Sequence, residues 1–98
     1  MAQLVVKWSN KALKKFDDKA IWYLANCGES FVKTFVSDIE STVDIVSKMP
    51  GIGVELKHTK QRTYRWYHNH PHCSVYYSYD SKHITVLDLI FTEMAYRP

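Results

Sequence analysis

Ninety-eight residues, 46% hydrophobic and 23% charged, suffice for one modest core, so a single domain over residues 1–98 is expected, and neither a second independent core nor disorder is. The net charge of +3 is too small by itself to demand a nucleic-acid partner. No run approaches the roughly 18 consecutive apolar residues of a membrane helix, so no membrane partner is expected.

The opening MAQLVVKWSN is broken by Lys7 too early for a secretory signal. A cytoplasmic location is expected, with Cys27 and Cys73 reduced; a disulfide between them stays open only for an exported chain. Leu4 to Trp8 is rich in β-branched and aromatic residues and predicts a strand. Ser9 then stands where a helix N-cap belongs. Leu13, Phe16, Ala20 and Leu24 recur at helical spacing and predict the buried face of a first helix, stopped by Gly28. Trp22 lies beside that stripe and is expected partly exposed.

A second helix is expected from near Ser30. It carries Phe31, Phe35, Ile39, Val43 and Val46 on one face and ends at Met49-Pro50-Gly51-Ile52-Gly53, because Pro50 cannot continue the ladder. About five residues between the helices favour an antiparallel hairpin. After Gly53 the period changes to two. Val54–Lys57 reads as a short extended piece, and Thr63 to His68 as a strand. Asn69-His70-Pro71 reads as a turn, and Cys73 to Tyr79 as a half-buried strand with Tyr77 and Tyr79 inward. Asp80-Ser81-Lys82 is a hairpin turn, and the nearly all-apolar Ile84–Ile90 is a strand central in the sheet. The fold class is therefore α+β in the order β-α-α-β-β-β: an antiparallel sheet packed against an N-terminal helical hairpin, with the first strand joining the later meander.

The chemistry concentrates in Gln61–Tyr79, QRTYRWYHNHPHCSVYYSY. No Asp or Glu occurs from Leu56 through Tyr79, so Lys57, Lys60, Arg62 and Arg65 are unopposed along the sequence. Cleavage of RNA through its 2′-hydroxyl needs such charge at the scissile phosphate; the competing reading is a solvated sheet edge guarded by lysines. His68, His70 and His72 offer a general acid or base near neutral pH. Zinc held by these histidines with Cys73 is the weaker reading, since Pro71 interrupts the strand and the spacing matches no known site. Tyr67 and Tyr76 are the tyrosines expected at the surface, where bases could stack. There is no Gly-rich phosphate loop, H-E-x-x-H, G-x-S-x-G or C-x-x-C, and no cofactor is expected.

The opening VKWS before Ala12 and Leu13, Tyr23-Leu24 before Gly28, and Phe35 with Ile39 form one set of signals. Met49-Pro50-Gly51-Ile52-Gly53, Arg62 with Tyr64-Arg65, VYYSYD, ITVLDLI and the tail ending Arg97-Pro98 form a second. In this order they resemble the RelE/ParE superfamily of bacterial type II toxins, in the branch often called plasmid-stabilisation proteins, over nearly the whole chain. The resemblance implies a cognate antitoxin as partner and one of two activities. ParE-like members bind DNA gyrase and poison it. RelE-like members are metal-independent ribonucleases that cut ribosome-bound mRNA; here Arg62 and Arg65 would clamp the phosphate, with His68 or Tyr96 moving protons. For a binding toxin the contact set is Lys57, Lys60, Arg62, Arg65, Tyr67, His70 and Arg97. Cys73 and Ser74 stand where many RelE-like nucleases carry an arginine, and in the tail, where they often place another basic or tyrosine side chain, Glu93 is an acid and only Tyr96 and Arg97 could serve. The two-helix hairpin also leans towards ParE, and gyrase binding is the expectation. A degenerate, non-toxic member is a third reading, and a homodimer is left open.

Overall fold

The computed structural model describes residues 3–70 and 73–91, with residues 69 and 70 described through their backbone alone. Strand β1 is Val5–Trp8, followed by helices α1 (Asn10–Cys27) and α2 (Glu29–Lys48) and a short 3-10 turn at Pro50–Ile52. Four strands complete the chain: β2 (Val54–His58), β3 (Thr63–His70), β4 (Cys73–Tyr79) and β5 (His83–Phe91).

Ser9 caps α1 as its chemistry predicts. Its Oγ accepts from the Ala12 amide at 3.0 Å and donates to the Leu87 carbonyl at 2.8 Å, so one hydroxyl starts the helix and fastens it to β5. Caps of this kind contribute about 1 kcal/mol.

The buried face of α1 differs from the expected stripe. Leu13 and Leu24 are exposed, while Ala12 and Tyr23 are buried, with Phe16 and Ala20 packed at the margin. The side chains explain the rotation: Ala12 lets the helix approach closely, and the Tyr23 ring lies 4.7 Å from Phe31 and 5.0 Å from Phe35. Trp22 is exposed beside it, as expected. In α2 the inward row of Phe35, Ile39, Val43 and Val46 is as the spacing predicts.

The link between the helices is shorter than expected. Gly28 alone separates them, at φ 92°, a value that side chains disfavour and glycine tolerates. Its amide donates to the Tyr23 carbonyl at 3.1 Å and its carbonyl accepts from Val32 at 3.3 Å, so one residue ends α1 and begins α2.

The five strands lie in the order β1-β5-β4-β3-β2. β2, β3, β4 and β5 pair antiparallel in sequence, as expected. β1 joins the meander at β5, but parallel, so the sheet is mixed. Two helices intervene between β1 and its partner, and nothing constrains that pair to hairpin geometry. β5 is interior, while β4 is the middle strand and is buried on both faces rather than half-buried, Ser74 and Ser78 included. The helices cover one face, where their buried residues form one core with Val75, Tyr77, Ile84, Val86 and Leu89.

β3 runs further than expected. Asn69 and His70 continue the strand, with His70 opposite Cys73 across an irregularity, instead of forming a turn; Pro71 lies outside the described residues. Tyr77 is buried, whereas Tyr79 is half-buried. No disulfide joins Cys27, exposed at the end of α1, to the buried Cys73. Among the described residues no helix is long and apolar enough to cross a membrane.

Candidate functional site

Side chains alternate along a strand, and residues paired across neighbouring strands share a face. Arg65 pairs with Tyr77 and Tyr67 with Val75, residues of the helix-covered side. Tyr64, Trp66 and His68 pair with Ser78, Tyr76 and Ser74 and fall on the opposite, open face. Arg62 and Arg65 therefore point to opposite sides of the sheet.

Arg62 belongs to the open face. Its Nε donates to Ser78 Oγ at 3.0 Å, Nη2 reaches Thr85 Oγ1 at 3.5 Å, and Nη1 pairs with Asp80 Oδ2 at 3.2 Å. Asp80 is itself fixed, since its other oxygen accepts from the Lys82 and His83 amides, each at 2.8 Å. Those two amides, and then Arg62, hold its carboxyl below the usual carboxylate range. The guanidinium thus already has an anion.

Arg65 does structural work on the other side. It donates to the Gly53 carbonyl at 2.8 Å, to the Tyr79 hydroxyl at 3.2 Å and to Glu55 at 3.2 Å. These bonds fasten the sharp break after α2 to the sheet. Tyr67 is half-buried against the core, not at the surface.

What remains on the open face is aromatic and basic. The Tyr64 and Tyr76 rings stack with centroids 6.5 Å apart, and Lys57 Nζ sits 5.8 Å from the Tyr64 centroid. His68 is exposed, and its Nδ1 lies 2.9 Å from Ser74 Oγ. Lys60 is exposed in the β2–β3 turn, which Thr59 closes by accepting from the Arg62 amide at 3.0 Å. Neither Lys57 nor Lys60 meets an acid among the described residues. Tyr96 and Arg97 lie outside the described residues, as does the His70 side chain. Among the described residues no three His, Cys, Asp or Glu side chains come together as a metal site.

Sequence reasoning missed Ser78, Thr85 and Asp80 as partners of Arg62. The turn residue Asp80 was legible as a turn former, but Thr85 carries no sequence signal, because only the β4–β5 register brings it to the guanidinium.

A family profile described as ParE toxin of type II toxin-antitoxin system, parDE, matches residues 6–96. The chain belongs to this family. Among solved structures it is similar to the chromosomal ParDE toxin–antitoxin system from P. aeruginosa, at 19% identity and TM-score 0.71, covering 91% of this chain and 96% of that one. It is also similar to the YoeB dimer from Staphylococcus aureus, at 19% identity and TM-score 0.58, covering 92% and 98%. At such identities the likeness is one of fold. No curated protein sequence matches the chain. As a ParE-family toxin it thus carries an open sheet face with stacked tyrosines, a histidine and one arginine already paired with an acid.

Proposed function

We propose that this ParE-family toxin arrests growth by binding DNA gyrase, and that a cognate antitoxin neutralises it. The observation that carries the reading is the division of the two arginines. A nuclease without a metal must gather positive charge at one phosphate, because charge builds on the phosphate oxygens in the transition state. Here Arg65 is committed behind the sheet to Gly53, Tyr79 and Glu55, and Arg62 in front is committed to Asp80. The open face keeps Lys57, Tyr64, Tyr76 and Trp66, a mixture suited to contact with another macromolecule.

Ribonuclease activity is the second reading, and the observation favouring it is His68. Its imidazole stands exposed on the open face against Ser74 Oγ, where it could move a proton.

The two readings separate in purified reactions. Added to gyrase and relaxed plasmid, the protein is expected to block supercoiling, and added to ribosomes carrying mRNA it is expected to leave the message whole. Cleavage of the message by clean protein, lost in His68→Ala, would overturn the gyrase reading in favour of the nuclease.

A further inference from the structure

Asp80 uses its two carboxylate oxygens for different tasks. Oδ1 accepts from the Lys82 and His83 amides, each at 2.8 Å, and so closes the β4–β5 turn. Oδ2 is not needed for that turn, and it is Oδ2 that meets Arg62 Nη1 at 3.2 Å. Arg62 in turn does not depend on Asp80 for its place. Its Nε donates to Ser78 Oγ at 3.0 Å and its Nη2 reaches Thr85 Oγ1 at 3.5 Å. Two neutral hydroxyls therefore aim the guanidinium and leave one edge of the fork for an anion, which is how arginine receives a phosphate.

Ser78 and Thr85 belong to one row that crosses the open face. Lys7 pairs with Thr85, Thr85 with Ser78, Ser78 with Tyr64, and Tyr64 with Lys57. Both lysines are exposed and neither meets an acid among the described residues. Lys57 sits over the Tyr64 ring, which stacks with Tyr76. Cations spaced along a groove beside stacking rings are the make-up of a single-strand nucleic-acid surface. The neighbouring acids are engaged elsewhere, Glu55 with Arg65, and Asp88 with Lys11 and Lys15. Asp80 thus sets a carboxylate oxygen against the arginine at the middle of that row.

We infer that Asp80 is a specificity-determining residue: its Oδ2 stands where a nucleic-acid phosphate would bind, and keeps single-stranded nucleic acid off the open face. The carboxylate satisfies Arg62 from within the chain, and a phosphate that approaches meets like charge in place of a free guanidinium edge. The inference shares the Arg62–Asp80 pair with the gyrase reading above but does not need gyrase to be the target, and it is tested apart from it.

Asp80→Asn keeps an oxygen for the turn amides and removes the charge. The probe is a short fluorescent oligothymidylate, a DNA without the 2′-hydroxyl, so that binding is read with neither cleavage nor gyrase. Wild type is expected to bind it weakly, and Asp80→Asn roughly tenfold tighter, with a salt slope steeper by about 0.7 as one more phosphate is held. Asp80→Ser, which also keeps a turn acceptor, is expected to gain likewise, so a folding fault in one variant leaves the other. Glu40→Gln makes the same change of charge at an exposed position of α2, on the covered side of the sheet, and is expected to bind as wild type does. Arg62→Gln added to Asp80→Asn is expected to abolish the gain. Affinity and salt slope unchanged in both Asp80 variants, an equal gain in Glu40→Gln, or a gain that survives without Arg62 would overturn the proposal.

Discussion

The Tyr77 hydroxyl donates to the Pro50 carbonyl at 2.6 Å and accepts from the Gly53 amide at 3.2 Å. With Arg65 on the Gly53 carbonyl, it ties down the whole break that follows α2. Burial pushes the Tyr77 phenol up to about 12, so it stays a donor throughout the neutral range. Gly53 is needed at this point for space: a Cβ there would lie 2.6 Å from the Trp66 carbonyl oxygen and 2.7 Å from the Tyr77 hydroxyl. Gly53→Ala is therefore expected to cost about 1–3 kcal/mol through overpacking, and Tyr77→Phe about 1–2 kcal/mol through two lost bonds. Urea unfolding midpoints check both; midpoints equal to wild type would contradict the account of this knot. At the same scale the sequence showed that Arg62 and Arg65 belong to one basic stretch. Their spacing of three already puts them on opposite faces of a strand that carries both; what the sequence could not show is which face the helices cover, because that depends on which residue of β3 meets Tyr77, and register is set by pairing across strands.

At the scale of elements, helix α1 is held to the sheet from its polar side as well as its apolar one. Lys15 and Lys11 reach the Asp88 carboxylate in β5 at 2.8 Å and 3.3 Å. Burial alone would raise that carboxyl, but bonds from Lys15 and Lys11 and from the Leu89 amide outweigh it and leave Asp88 below its ordinary value. A carboxylate depressed by the fold stabilises above its unfolded pKa, near 4, and that contribution is lost as pH falls through the lower folded value. Thermal unfolding followed from pH 6 downwards should therefore show Tm falling below about pH 4, and Asp88→Asn should reduce that fall while lowering Tm at pH 6. An unchanged acid profile in the variant would remove Asp88 from the account. Most elements were legible: α2 through its row of Phe35, Ile39, Val43 and Val46, and the change of period after Gly53 through alternation. The face of α1 was not, because Leu13 and Leu24 make as good a stripe on paper as Ala12 and Tyr23. The choice is made by Phe31 and Phe35 on the neighbouring helix.

At the scale of the whole molecule, the helical hairpin covers one side of the mixed sheet and leaves the other open, and this division assigns the work. The covered side holds Arg65 and the half-buried Tyr67 in place, while the open side and the β2 edge present Lys57, Tyr64, Tyr76 and His68 outward. Sequence order alone could suggest the meander and the joining of β1 to it, but the parallel β1–β5 pairing had no sequence signal. Arg62 and Arg65 each meet an acid, Asp80 and Glu55, on opposite sides of the sheet, and our proposal that the toxin acts by occupying gyrase rests on that division. The most direct test is to induce the gene without its neighbouring genes and pulse-label DNA and protein synthesis in one culture. The account predicts that DNA synthesis falls first, with translation following. Translation falling first, or neither falling, would contradict it.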